Sequence, residues 1–114
     1  VIFLGSKKSV KSRFLGGNKM LKRRFIDIGI IVEDKRGYHK IAMQNGDVTF
    51  LTFPFKNNSA KIGDKGNVYY ESCSSYGMNR FEIDNSVNID FEKMRHNYKN
   101  KWNGELVLSK EVIK

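Results

Sequence analysis

The chain has 114 residues, of which 39% are hydrophobic, 12% aromatic and 29% charged, and its formal net charge is +9. That is one domain's length, and the apolar share is too high for a disordered chain. No run approaches the roughly 18 apolar residues of a membrane helix, and a lone cysteine, Cys73, excludes an internal disulfide and favours a reducing, intracellular (cytoplasmic) setting.

Residues 1–4 are apolar but too few for a signal core. The cations follow them instead of preceding them, so no secretory signal is read. The first residue is Val, which implies residues upstream, and Met20 is an alternative start. Lys, Asn and Ile are favoured and Lys outnumbers Arg. Their AT-rich codons point to a low-GC bacterium, its phage or an organelle.

The charge is segregated. Residues 1–24 hold Lys7, Lys8, Lys11, Arg13, Lys19, Lys22, Arg23 and Arg24 and no carboxylate. Residues 25–114 hold 13 cations and 12 acids. The chain therefore divides into a basic, flexible arm over 1–24 and a single β-rich domain over 25–114. Gly5, Ser6, Ser9, Ser12, Gly16 and Gly17 keep the arm pliable. Such a segment can order on a polyanion, neutralise phosphates and release their counterions. A solvated tail and a contact with a protein or membrane surface are the alternatives. Residues 13–15 also read as an edge strand, through Phe14 and Leu15.

From residue 25 the pattern has period two. Ile26, Ile28, Ile30 and Val32 share one face of a strand over 25–33, and Asp27, Gly29 and Glu33 the other. Residues 34–37 turn, and a second strand covers 38–44. Asn45-Gly46 predicts a type I′ hairpin. The returning strand, 47–55, is the most apolar, and Pro54 ends it or places it at an edge. Residues 56–67 form a loop from which Ile62 tucks back. A second hairpin follows, with strands over 68–74 and 79–84 and Phe81 and Ile83 on one face.

Residues 90–102 change period. Phe91, Met94, Tyr98 and Trp102 make one helical stripe. Acids start the helix, Lys99 and Lys101 end it, and Asn103-Gly104 stops it. A last strand over 105–108 completes the sheet. The fold class is mainly β or α+β: a small antiparallel barrel or bent sheet of five to six strands, SH3-like or OB-like, with one C-terminal amphipathic helix.

Nothing points to chemistry. Two histidines, one cysteine and scattered acids give no metal-ligand spacing. His39 alternates with Ile41 and Met43 and reads as a satisfied, half-buried histidine; His96 lies off the apolar stripe and reads as exposed. Nothing near Cys73 in the sequence would activate it. No glycine cluster has phosphate-loop spacing. No catalytic residue, metal ligand or cofactor is assigned, and the chain is read as a non-enzyme.

The leading expectation is a nucleic-acid-binding module that does not read sequence, with DNA and RNA undecided. Lys7, Lys8, Lys11, Arg13, Lys22, Arg23 and Arg24 would contact phosphates, and Tyr38, Lys40 and Tyr69 would supply a basic and aromatic surface. Tyr69 and Tyr70 are adjacent in a strand, so they point to opposite faces. The alternative is a structural or assembly subunit, of a virion or ribosome-like particle, using the arm and edge strands for contacts, with a homo-oligomer compatible with either. An inhibitor of a host enzyme is a third reading. If Met20 is the start, only Lys22, Arg23 and Arg24 of these arm cations remain.

Overall fold

The computed structural model describes residues 13–15 and 19–113, with side chains from residue 21 onward. In it the alternating segment is the middle of a 17-residue strand, β2 (Lys19–Lys35). A short strand, β1 (Arg13–Leu15), pairs antiparallel with the start of β2, with Arg13 opposite Leu21 and Leu15 opposite Lys19. The edge-strand reading of 13–15 therefore matches the backbone. Of the arm read over 1–24, residues 1–12 and 16–18 lie outside the described residues, and 19–24 are part of β2.

β3 (Tyr38–Met43) and β4 (Val48–Thr52) follow β2 as an antiparallel meander. The chain then crosses to the other side of β2, where β5 (Lys65–Cys73) and β6 (Tyr76–Ile83) form the second hairpin. The order across the sheet is β4-β3-β2-β5-β6, with β1 beside the end of β2. Asn79 of β6 donates a hydrogen bond to Thr49 of β4 at 2.9 Å. That contact joins the two outer strands, so the sheet is curled into a half-barrel. The domain is thus a small, barrel-like antiparallel β fold with one helix, α1 (Phe91–Trp102).

Both faces of the sheet are buried at its centre, around β2 and β3. Ile31 and Ile41 pair across β2 and β3 and face inward with Met43, Leu51, Ala60 and Val68. Ile30 and Ala42 pair beside them and face outward, against Met94, Leu106 and Val112. Each fully buried Ile contributes roughly 1.5–3 kcal/mol relative to exposure. Ile62 packs against both clusters, as its position in the loop implied.

The period-two reading of β2 needs correction. The ladder shifts register between Phe25 and Asp27, and again between Ile31 and Glu33. A single-residue shift moves every later side chain to the other face. Ile26, the unpaired residue of the first bulge, packs against the inner cluster, whereas Ile30 and Val32 pack outward. Beyond that bulge Arg24 shares the inner face and Arg23 the outer.

The turn at 44–46 also differs from the type I′ expectation. Gly46 has φ +94, but Asn45 is not among the positive-φ residues. Gly46 N–H donates to Met43 O at 3.0 Å, and Met43 N–H to Asp47 O at 2.9 Å. These are the bonds of a three-residue loop that closes on a left-handed glycine. Asp27 supports it by accepting from Asn45 N–H at 2.6 Å. The strand read over 47–55 is shorter than expected: β4 ends at Thr52, and Phe53 to Phe55 turn. The second hairpin turns one residue early, at Ser74 and Ser75.

The helix forms where the stripe placed it. Asp90 caps it by accepting from Lys93 N–H at 3.0 Å, and Asn103 ends it in the left-handed region with φ +54. Removing this cap as Asp90→Ala is expected to cost about 1 kcal/mol, read as a lower urea midpoint at unchanged m-value. An unchanged midpoint would mean that the cap is idle.

The helix docks on the 44–46 turn. Gln44 O accepts from Asn97 Nδ2 at 2.9 Å, and Gln44 Oε1 from Asp90 N–H at 2.8 Å. Trp102 Nε1 donates to Gly46 O at 2.9 Å, and Lys101 meets Asp47 at 2.8 Å.

The expected last strand over 105–108 does not form. Leu106, Leu108 and Val112 instead pack into the outer cluster beneath α1.

Candidate nucleic-acid interface

Lys7, Lys8 and Lys11 lie outside the described residues, and Arg13 is described only as backbone of β1. The other six expected contact residues fall into two groups at opposite ends of β2.

The first group lies where β2 pairs with β5. Lys22 is opposite Ser72, Arg23 opposite Glu71, Arg24 opposite Tyr70 and Phe25 opposite Tyr69. Alternation then sorts the side chains. On the inner face, Lys22, Arg24, Tyr70 and Ser72 line an open pocket of about 340 Å³, to which Arg23 also contributes. Lys22 and Arg24 are exposed, and Tyr70 and Ser72 half-buried. The Arg24 guanidinium carbon lies 5.7 Å from the Tyr70 ring centroid.

On the outer face, the Arg23 guanidinium sits 3.9 Å above the Tyr69 ring. Arg23 Nε lies 3.4 Å from Glu71, and an Arg23 terminal nitrogen contacts Glu82. Arg80 adds a second cation to Glu71 at 3.2 Å. Phe25 meets the edge of Tyr69 with centroids 5.7 Å apart. Burial, with the Glu82 charge next, raises the Tyr69 phenol above its ordinary pKa. Arg23 and Tyr69 thus form an internally compensated ion-pair and ring stack, with Arg23's side chain only 7% exposed. That geometry suits holding strands together better than gripping a ligand.

The second group is Tyr38 and Lys40 on β3. Tyr38 pairs with Lys35 of β2, eleven positions from Arg24, which is about 36 Å of strand. Tyr38 Oη donates to Glu33 Oε1 at 2.9 Å, and Lys40 Nζ lies 3.6 Å from the same carboxylate. The Tyr38 ring meets Phe50 edge-on at 5.4 Å. The hydrogen bond to Glu33 raises the Tyr38 phenol's pKa. These two residues share one carboxylate and do not join the Arg24 pocket.

Tyr70, not Tyr69, is therefore the ring beside exposed cations. The signal that finds it is the register: Lys22 and Arg24 have the parity of Tyr70 and Ser72. The β2 bulge and the pairing register are not readable from spacing.

His39 is 1% exposed, buried more deeply than the satisfied, half-buried histidine read from the sequence, and its Nε2 lies 3.0 Å from Asp34 Oδ1. The contact is an ion-pair distance without an aligned hydrogen bond. Lys56 reaches the same Asp34 oxygen at 3.2 Å. Burial lowers the His39 pKa, with Lys56 acting in the same sense and Asp34 opposing. An unfolded histidine takes up its proton near pH ~6.5, and the folded one only below that. Below pH ~6.5 the unfolded chain then binds more protons, so this contribution is complete above that pH and lost as pH falls toward the folded pKa. Urea midpoints at pH 7.5 and 5.5 should differ more for the wild type than for His39→Gln; equal differences would remove His39 as the cause.

His96 is exposed, with its Nε2 3.1 Å from Asn100 Nδ2. Cys73 is a free thiol at the end of β5. Among the described residues no three His, Cys, Asp or Glu side chains gather as a metal site. No helix among them is long and apolar enough to cross a membrane.

No protein-family model, curated protein or solved structure matches the chain. The fold defines it as a small barrel-like antiparallel β domain with a C-terminal helix.

Proposed function

We propose that this chain is a non-enzymatic module that binds nucleic acid without reading its sequence. One observation carries the reading. Exposed Lys22 and Arg24 stand on one face of β2, in the same acid-free 24-residue segment that holds eight of the nine net charges. Cations spaced along a strand can track a phosphate backbone, and phosphate contacts position without specifying bases.

The test is affinity for heterogeneous RNA and DNA as a function of salt. Five to eight phosphate contacts give a log–log slope of roughly −4 to −7. The double variant Lys22→Ala, Arg24→Ala should flatten that slope by about 2, because each phosphate cation contributes about 1. Absent or salt-independent binding would remove the reading.

A second reading, an assembly subunit, draws support from the outer strand β4. Phe50 is 54% exposed there, and Phe53 just beyond it 88%. Apolar rings beside an outer strand suit pairing with another chain. Light scattering after size exclusion separates the two: a homogeneous oligomer free of nucleic acid favours the subunit.

A further inference from the structure

The Tyr70 pocket has a feature that phosphate binding alone does not need. Gly77 of β6 is diagonal to Tyr70 on the same face. A Cβ on Gly77 would stand 1.7 Å from Tyr70 Oη and 2.3 Å from Cζ. The ring thus occupies the space of the missing side chain, and any other residue at 77 would push it away. Gly77 has no left-handed φ, so its lack of a side chain, not its backbone freedom, is what the site uses. The ring shares its pocket with exposed Lys22 and with Ser72, and the exposed Arg24 guanidinium carbon stands over it, 5.7 Å from the centroid.

We infer that this pocket takes an unpaired base of a single strand, stacked on Tyr70, with Lys22 and Arg24 on the flanking phosphates. The inference rests on the nucleic-acid reading above and narrows it to single-stranded ligands. Every base has a π-face, so one aromatic platform between cations grips a strand without sequence preference. A guanidinium beside the ring adds a cation–π contribution. In a duplex the bases are already stacked and paired, so the platform has nothing to receive.

The test measures binding of the full chain to three probes of equal length at one salt concentration. They are a fluorescent oligothymidylate, the same backbone without bases, and a duplex. The thymidylate strand should bind most tightly. Tyr70→Ala should weaken that strand by about 5- to 150-fold, the usual range for losing one stacked base. The same substitution should leave the abasic strand unchanged. Tyr70→Phe should bind as the wild type does, and Gly77→Val should resemble Tyr70→Ala. A urea midpoint for each variant confirms folding, and the comparison of probes on the unaltered protein stands even if a variant unfolds. Equal affinity for abasic and thymidylate strands would overturn the inference while salt-dependent binding keeps the broader reading. Failure to bind any probe would overturn both.

Discussion

Gly46→Val is expected to destabilise the domain by roughly 3–5 kcal/mol, a large fraction of the ~5–15 kcal/mol a domain of this size has. Two costs act together. Gly46 has φ +94, a backbone region that side-chain-bearing residues adopt only under strain. A Cβ there would also lie 2.6 Å from Asn97 C and 2.7 Å from Asn97 O. Those atoms are helix backbone and cannot rotate aside, so α1 would have to lift off the turn. Lifting breaks the Trp102 to Gly46 hydrogen bond and the two that Gln44 makes. Gly37, where an added Cβ meets nothing within 4 Å, is the control. Urea denaturation should rank Gly46→Val far below Gly37→Ala; a similar midpoint for both would mean that the helix does not approach the turn so closely.

Met94→Ala is expected to cost about 2–5 kcal/mol, the usual range for truncating a buried side chain of that size. Met94 is the one residue of α1 with no exposed surface, and it packs with Ile30, Ala42, Leu106 and Val112. The rest of the apolar stripe is only partly covered, so neighbours cannot easily close the cavity from the helix side. Met94→Leu keeps the volume and should cost less than ~1.5 kcal/mol. If both substitutions lower the denaturation midpoint equally, volume at this position is not what attaches the helix.

These two expectations mark where the sequence was most informative. The stripe of Phe91, Met94, Tyr98 and Trp102 located the helix, and Asp90 and Asn103 bound it as caps do. Asn45-Gly46 located the turn, although the geometry is a three-residue loop, because Asn45 keeps a negative φ while Gly46 does not. The meander of β2, β3 and β4 was legible because turn residues at 34–37 and 45–46 separate runs of strand-forming residues.

The errors share a cause: long-range pairing leaves no local mark. Ile30 and Ile31 are both buried because the sheet is covered on both faces, which alternation alone cannot say. The start of β2 carries so many cations that composition describes it as an arm. Residues 105–108 have a strand's alternation, but Leu106 and Leu108 spend it on the helix cluster. The pocket was half legible. Lys22 and Arg24 stood out by charge, whereas choosing Tyr70 over Tyr69 requires the register with β5.

β2 is at once the most basic strand and the middle strand of the sheet, flanked by β3 and β5. A load directed along β2 from residues 19–24 runs down the axis of that strand, past β5 first and then β3. The ladder bonds to its neighbours lie across that axis and are strained together in shear, not peeled one at a time as at an outer strand. A pull along the axis of β2 at this end is thus shared by many ladder bonds of the central strand at once.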